Sequence, residues 1–377
     1  MKLITWIYKG SRIALYILKN RAASVPKYTF CRYTQLLLGF ISLFALSACS
    51  DAVNPQLEDY AKRLERLAGE QRLAAEQLVT PIQPSVAELR RNLPRMSISL
   101  LDSFRLNECR LGQVVAERNS SLGKVMTPAN QLYYEIKVTR ALKECLTAPV
   151  ELSPALRLEL TQALAIKESS LALAVHNFLT TDQVWRANFR FARHSLPMSS
   201  ADDFTSTFTA LSYFAHTLTL VLADPHQVQL DLTLWHEQLE ALNHSRFLSA
   251  YWRTFASVPA ELERLTELLE RTTKHIGCSD IARPQQAQYL HNVMLNIYIA
   301  KLQPAFARWA HYQQQLAPVL KQLVALTEGE LWLNYVQQLG YGHTNTLQQS
   351  SRNHAEQWQL LLAKCRLTTT GGSLTDE

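Results

Sequence analysis

Apolar residues recur along most of the chain with the three- and four-residue spacing of a helix face. One such stripe follows Ser153-Pro154, a pair typical of a helix N-cap and first helical position. Its apolar members are Leu156, Leu160, Leu164, Leu171, Val175 and Phe178. No stretch shows convincing strand alternation, and glycine is scarce, at 11 residues. The pattern therefore predicts an all-α protein.

Further stripes extend this prediction to an elongated multi-helix bundle of about ten helices over residues 55–366. Thr127-Pro128 begins one helix, and Pro259 is expected to open another. A third starts near Pro284, and Pro304 is expected to kink or end it. The last helix ends near Cys365.

The body is also expected to have internal divisions. The stretch Ser195–Asp203 separates two candidate sub-bundles, 55–195 and 203–366. The tail 367–377 is polar and contains glycine, so we expect it to be disordered.

A targeting segment precedes this body. Residues 36–48 form an uncharged apolar run of about 13 residues, shorter than the roughly 20 needed to span a bilayer but of signal-peptide length. The next feature, Leu46-Ser47-Ala48-Cys49, resembles the lipobox of bacterial lipoproteins. That resemblance implies cleavage before Cys49 and acylation of its sulfur and its new amino group. The sequence thus predicts a signal peptide over 1–48 and a lipidated tether over 49–54.

The residue after the anchor bears on which membrane is expected. Ser50 follows Cys49. By resemblance to the sorting rule of Gram-negative lipoproteins, a serine rather than an aspartate at this position favours the outer membrane, facing the periplasm. Several acyl chains anchor a protein firmly, whereas a single chain binds only marginally. We therefore expect a membrane-anchored protein of the cell envelope.

Charge narrows the classes of partner. The chain carries 38 basic and 32 acidic residues, a formal net charge of +6. Residues 1–48 hold seven of the basic residues and no acid, so 31 basic and 32 acidic residues remain beyond them, a net charge of −1. A near-neutral body lacks the basic footprint of nucleic-acid-binding proteins. We therefore expect no nucleic-acid partner.

Four cysteines lie in the body, where an oxidising compartment favours disulfides. They allow three pairings. We favour Cys109 with Cys145 and Cys278 with Cys365, because each pair brackets a helical segment within one half of the chain. The alternative is zinc, since His275 and Cys278 have a ligand-like spacing, but a second pair at finger-like distance is missing. We predict two disulfides, no metal and no cofactor.

The sequence carries no signature of a known catalytic site, and we do not predict an enzyme. The zincin pattern, the Walker loop and the nucleophile elbow are absent. Glu168-Ser169 resembles the Glu-Ser pair of lytic transglycosylases, but the Gly-Leu-Met-Gln stretch of that family is missing. An exposed helical glutamate is the better interpretation. A metal or acid–base pair of His343 and His354 is a further alternative.

One polar loop between two predicted helices is the candidate contact surface. A Cys109–Cys145 disulfide would clamp these helices as a hairpin with the loop at its tip. Such a loop could contact a partner or hold a carboxylate, a phosphate or a glycan. Its candidate residues are Arg118, Asn119, Ser120, Ser121 and Lys124. The simpler alternative is that Asn and Ser cap helices while Glu117 pairs with Arg118 or Lys124.

The same region carries a family resemblance. The block Glu117–Val125, ERNSSLGKV, is followed by a helix with Tyr134-Glu135 and a cysteine. This arrangement resembles an uncharacterised group of gammaproteobacterial lipoproteins classed as a domain of unknown function. The resemblance covers most of the mature chain and implies lipid anchoring and helices. It brings no activity and no catalytic residue.

Two functional hypotheses follow. The first is a membrane-tethered adaptor or scaffold that binds another envelope protein, which requires an exposed apolar patch of several hundred Å². The alternative is a binder or hydrolase of an envelope component such as peptidoglycan or lipid. It requires a concave pocket with convergent polar groups near Arg118, Glu168 or His343. On the sequence alone we favour the first.

Overall fold

The computed structural model describes most of the predicted body. The described ranges are 54–75, 78–94, 106, 109–120, 125–149, 151–279, 282–342 and 346–368. The predicted signal peptide and Cys49 lie outside them, as do Ser121, Lys124, His343 and the tail from 369.

Twelve helices make up most of the described chain, and ten of them have at least seven residues. In order they are α1 Pro55–Ala68, α2 Val86–Leu89, α3 Leu111–Asn119, α4 Pro128–Thr147, α5 Pro154–Thr181, α6 Gln183–Asn188, α7 Phe204–Ala223, α8 Leu232–His244, α9 Phe247–His275, α10, α11 Glu330–Gln338 and α12 Thr346–Cys365. Helix α10 joins Gln285–Val293, a π-helical stretch Met294–Leu302 and Gln303–Ala325. The described ranges contain no β-strand, so the prediction of an all-α protein with about ten helices is confirmed.

Side-chain caps fix where the central helices begin. Thr127 and Ser153 each precede a proline, and each accepts a hydrogen bond from the backbone N–H three residues further on, at 3.2 Å in both cases. Asn54 caps α1 in a related way, ahead of Pro55. These caps satisfy amides that have no partner within the helix. The starts predicted from Thr127-Pro128 and Ser153-Pro154 are confirmed.

Two prolines lie where the sequence pattern did not put them. Pro259, expected to open a helix, lies inside α9. It removes one helical hydrogen bond, but the helix continues because Val258, Leu262 and Leu265 beside it are buried in the core. Pro304, expected to kink or end a helix, lies in the first turn of the last stretch of α10. It follows the π-helical stretch, which ends at Leu302, and α10 continues beyond it to Ala325.

The helices enclose two hydrophobic clusters. The smaller one is formed by residues of α3, α4 and the first half of α5 around Cys145. The larger one draws on α1, α2 and α4 to α12. Six tryptophans are less than 2% exposed, and they are Trp185, Trp235, Trp252, Trp309, Trp332 and Trp358. The division of the body at residues 195–203 stays a prediction.

Two disulfides close the pairs that the sequence favoured. Cys109 is bonded to Cys145 with their Cα atoms 5.4 Å apart, and Cys278 to Cys365 with their Cα atoms 5.1 Å apart. The sulfur of Cys278 is therefore not free to bind zinc as a thiolate. Within the described ranges, no group of three or more His, Cys, Asp or Glu residues is arranged to hold a metal ion. No helix there has both the length and the apolar character needed to cross a bilayer.

Candidate functional site

A cleft of about 980 Å³ opens beside the hairpin formed by α3 and α4. Three parts of the chain line it: residues 90–94 just after α2, the end of α3 with the start of α4, and one face of α5. Its charged side chains are Arg90, Arg91, Arg118, Lys167 and Glu135. Four basic groups against one acidic group make this a positively charged cleft in a body whose net charge is close to zero.

The floor of the cleft is a buried ion pair. Lys167 Nζ lies 2.7 Å from Glu135 Oε2, and the two side chains are only 4% and 7% exposed. The same Nζ donates a hydrogen bond to the carbonyl oxygen of Pro94 at 3.0 Å. A buried charge without a counter-charge is costly, so removing either Lys167 or Glu135 would destabilise the fold. The pair neutralises the floor and ties the segment 90–94 to α4 and α5.

The backbone of Arg91 is held against α5 by one amide side chain. The Arg91 N–H donates to Asn177 Oδ1 at 2.7 Å, and Asn177 Nδ2 donates back to the Arg91 carbonyl at 2.8 Å. Neither Arg90 nor Arg91 forms an ion pair with an acidic residue of the described ranges. Arg90 and Arg91 thus line the cleft on a backbone that Asn177 holds in place.

His176 secures the residue before this arginine pair. The Glu328 N–H donates to His176 Nδ1 at 2.9 Å, so the ring proton is on Nε2, which donates to the carbonyl oxygen of Leu89 at 2.9 Å. Burial lowers the pKa of His176, and the nearby Arg91 charge lowers it further. The imidazole is therefore neutral at physiological pH, as both of its hydrogen bonds require.

Gly329 makes room for the Arg91 side chain. Its backbone has φ 93° and ψ 142°, a conformation open almost only to glycine. A Cβ atom added there would lie 2.9 Å from Nη2 of Arg91. The missing side chain therefore allows the guanidinium group to lie against the start of α11.

The other basic group comes from the predicted hairpin. Arg118 lies in the last turn of α3, where the helix dipole favours a cation. Its guanidinium carbon is 5.8 Å from the ring centroid of Tyr134, within the range of a cation–π contact. Burial, together with the neighbouring Glu135 charge, raises the pKa of Tyr134 to about 12. The phenol therefore stays neutral at physiological pH, and Tyr134 lines the cleft.

The hairpin candidates have different positions. Arg118 and Asn119 both line the cleft. Ser120 instead closes α3, since its hydroxyl donates to the carbonyl oxygen of Glu117 at 2.7 Å. The Glu117 carboxylate pairs with Lys137 at 2.6 Å. Ser121 and Lys124 lie outside the described residues, so their predicted role stays a prediction.

The two catalytic alternatives receive no support from their surroundings. Glu168 is exposed, does not line the cleft, and lies 2.7 Å from Nε2 of His226. It lacks the apolar pocket that a catalytic acid needs. His354 is fully buried in the core, where burial lowers its pKa to about 3. Its suggested partner His343 lies outside the described residues.

One protein-family model matches most of the chain. The model, DUF3080, is described as a protein of unknown function and matches residues 57–369.

The chain belongs to the DUF3080 family. No curated protein and no solved structure matches this DUF3080 chain. Every residue that lines the basic cleft falls within the matched region. The resemblance seen in the sequence is therefore confirmed as far as a domain of unknown function, while the lipoprotein signal and the gammaproteobacterial origin stay predictions.

The sequence predicted Arg118 and Asn119 of this DUF3080 cleft but not the basic residues that α5 and the segment after α2 contribute. Arg90 and Arg91 were not considered, although Ser85 and Glu88 before them have the spacing of a capping box. That signal would have predicted the short helix α2 and placed both arginines just beyond its end. Nothing in the sequence shows that Lys167 and Glu135 meet, because they lie 32 positions apart on different helices.

Proposed function

We propose that this DUF3080 protein is a lipid-anchored protein of the cell envelope whose basic cleft binds an anionic ligand. One observation carries the binding part: Arg90, Arg91 and Arg118 all line a single cleft of about 980 Å³. Planar guanidinium groups bind carboxylates and phosphates through two parallel hydrogen bonds. A cleft with walls of low dielectric also concentrates the field of like charges, which attracts an anion.

Binding is favoured over hydrolysis by the lining of the cleft. Its described residues include no His, Cys or Ser. The lone acid, Glu135, is already in an ion pair with Lys167. A general base or an activated nucleophile would need a different environment. We therefore propose that the protein binds an envelope component rather than hydrolysing it. We favour this function over the adaptor role that the sequence alone favoured. An envelope protein as partner stays a prediction.

Anchoring through Cys49 rests on the sequence and fits the start of the body. Asn54, at the predicted end of the tether, is buried, and its side chain donates to Ser195 Oγ and to the Leu196 carbonyl, both at 3.2 Å. A tether over 49–54 would reach no more than roughly 20 Å when extended. We therefore propose that the body works close to its membrane, with the outer membrane facing the periplasm as the expected location.

Calorimetric titration of the purified body with inorganic pyrophosphate tests the proposed binding. We expect binding that weakens as salt is raised, because the interaction is between charges. The double variant Arg91→Ala/Arg118→Ala should lose it, whereas Arg283→Ala, an exposed arginine outside the cleft, should bind like the wild type. Equal binding by the double variant and the wild type would rule out the cleft as an anion site.

A further inference from the structure

One surface of the body lies beside the point where the proposed tether joins it. Asn54 is the first described residue, and its side-chain amide donates to Ser195 Oγ and to the Leu196 carbonyl, both at 3.2 Å. These bonds fix the start of α1 to the segment 190–196. Since a tether over 49–54 reaches no more than roughly 20 Å, the side chains around this junction are held near the membrane.

The segment 190–194 brings cationic side chains to the junction. Arg190, Arg193 and His194 are all exposed. None of the three side chains forms an ion pair or a hydrogen bond within the described ranges. Their donors are therefore available to an anionic group that approaches from outside the protein.

A further arginine lies next to this segment. The Ala192 N–H donates to the carbonyl oxygen of Ser249 at 3.0 Å, and the Leu196 N–H donates to the hydroxyl of Thr254 at 2.8 Å. The segment thus runs along the turn of α9 that carries Arg253. The Arg253 side chain is buried, and its Nε has no hydrogen-bond partner. A buried charge without a counter-charge is costly, so an anion near this turn would be favoured.

Two exposed aliphatic side chains adjoin the cationic segment. Val79 and Ile82 are 79% and 90% exposed and lie on a stretch without regular secondary structure. This stretch is held in place, because Gln83 Nε2 donates to the carbonyl oxygen of Phe189 at 3.1 Å. Phe189 directly precedes the segment 190–194, so Ile82 lies beside the cations. Aliphatic groups this exposed gain free energy when they are removed from water.

We infer that Val79, Ile82, Arg190, Arg193 and His194 form a junction surface that contacts the anionic lipid headgroups of the membrane. Apolar side chains among basic ones are typical of protein segments that bind at a membrane interface. The arginines are attracted to anionic headgroups, while the aliphatic groups enter the boundary with the acyl chains. The inference rests on the proposed lipid anchor and adds which side of the body faces the membrane.

A membrane is favoured as the occupant because the junction surface lies where the proposed tether begins. Attraction between exposed charges is weak for a partner that diffuses freely. A short tether instead keeps the headgroups at a high effective concentration next to the junction surface. Weak contacts then suffice to orient the body, whereas the acyl chains provide the attachment.

A tryptophan placed in the junction surface tests the inference. Ile82→Trp is introduced into the full-length protein, which is purified from its own membrane. It is then reconstituted into vesicles of phosphatidylglycerol and phosphatidylcholine whose phosphatidylcholine carries bromine on its acyl chains. Bromine quenches tryptophans that reach the acyl chains. After subtraction of the wild-type signal, we expect stronger quenching in Ile82→Trp than in Leu158→Trp, an exposed position of α5.

Two double variants, each combined with Ile82→Trp, test the charges. Arg190→Ala/Arg193→Ala should remove most of the extra quenching, as should vesicles that lack phosphatidylglycerol. Arg110→Ala/Arg283→Ala, which removes two exposed arginines outside the junction surface, should leave it unchanged. The inference is overturned by equal quenching in Ile82→Trp and Leu158→Trp. It is also overturned if the extra quenching persists in Arg190→Ala/Arg193→Ala or without phosphatidylglycerol.

Failure of the anchor itself is recognised separately. A full-length protein that incorporates no clickable palmitate analogue would overturn the proposed anchor, and the inference with it. Palmitate incorporation together with equal quenching at the two positions would overturn the inference alone. Pyrophosphate binding in the cleft does not depend on the junction surface, so Arg190→Ala/Arg193→Ala should bind pyrophosphate like the wild type.

Discussion

Side-chain burial sets the protonation state of the core histidine His354. Trp358 Nε1 donates to the Tyr60 hydroxyl at 2.9 Å, and that hydroxyl donates to His354 Nε2 at 2.6 Å. His354 Nδ1 then donates to the hydroxyl of Thr266 at 3.0 Å, which donates to the carbonyl oxygen of Leu262. Each polar atom in this chain has a partner only while the imidazole is neutral. Protonation would place an uncompensated charge in the core.

This network predicts how stability depends on pH. His354 has a pKa of about 3 in the fold, and about 6.5 when unfolded. Between these values the unfolded chain binds a proton that the folded protein does not. The contribution of neutral His354 to the free energy of unfolding is therefore fully present above about pH 6.5. It is lost, at up to about 1.4 kcal/mol per pH unit, as the pH falls towards about 3.

Urea unfolding between neutral pH and acid measures the effect. His354→Gln should be less stable than the wild type at neutral pH, and the gap should narrow as the pH falls. His236→Gln, which removes an exposed histidine, should run parallel to the wild type. A constant gap between His354→Gln and the wild type would show that His354 is not the titrating group.

Gly329 offers a second test at a single residue. Alanine there would be strained by the backbone conformation, at a cost of about 1–3 kcal/mol, and its Cβ would meet the Arg91 guanidinium. Gly340 also has a positive φ, 101°, but a Cβ there would meet nothing within 4 Å. Both variants should be destabilised, since both are strained, but Gly329→Ala alone should weaken pyrophosphate binding. If the two variants bound pyrophosphate equally well, Gly329 would not position Arg91.

At the scale of helices, the two disulfides have similar chemistry but different neighbours. Cys109–Cys145 ties α3 to α4 across 36 residues, and α3 carries Arg118 to the cleft. Cys278–Cys365 ties the end of α12 to the segment before α10 across 87 residues, away from the cleft lining. The chain-entropy model gives contributions of about 4 and about 4.6 kcal/mol respectively.

Removing each disulfide should therefore have separable effects. We expect Cys109→Ala/Cys145→Ala to lower both stability and pyrophosphate affinity, because α3 loses its covalent tie. Cys278→Ala/Cys365→Ala should lower stability by a similar amount and keep the affinity. Chemical denaturation and calorimetry of the two double variants check this. Loss of affinity in both, or in neither, would contradict the proposed role of α3.

The same scale shows what sequence reasoning can reach. Helix starts at Thr127 and Ser153 are local events, because a cap and a following proline decide them within one turn. Both cysteine pairs were also within reach, since few pairings exist. Pro259 was misjudged because burial of its neighbours outweighs one lost hydrogen bond. The cleft was half predicted: Arg118 and Asn119 belong to a local hairpin, whereas Arg91 reaches them only through the distant contact with Asn177.

At the scale of the whole molecule, charge is distributed unevenly. The chain's net +6 comes from residues 1–48, and the remainder carries −1. Four basic side chains of this near-neutral body line one cleft. Anions should therefore be attracted to the cleft more strongly than to the rest of the surface. Such a body should select particular anionic molecules rather than coat itself with any polyanion.

The proposed anchor gives a prediction for the intact protein in its cell. Cys49→Ala should abolish incorporation of a clickable palmitate analogue and release the body from the membrane fraction, because the acylated sulfur is gone. Cys31→Ala, which changes the other cysteine of the leader, should be labelled like the wild type. Labelling of Cys49→Ala would show that the lipobox interpretation is wrong.

All six tryptophans of the described ranges are buried in the core, and none of them lines the basic cleft. Their fluorescence should therefore be blue-shifted and poorly quenched by iodide in the folded protein, and should move to the red on unfolding. The native protein thus carries its own optical reporter of core integrity. A ligand that enters the cleft without rearranging the core should leave this emission unchanged, so a change in emission on binding would mean that the helices themselves had moved.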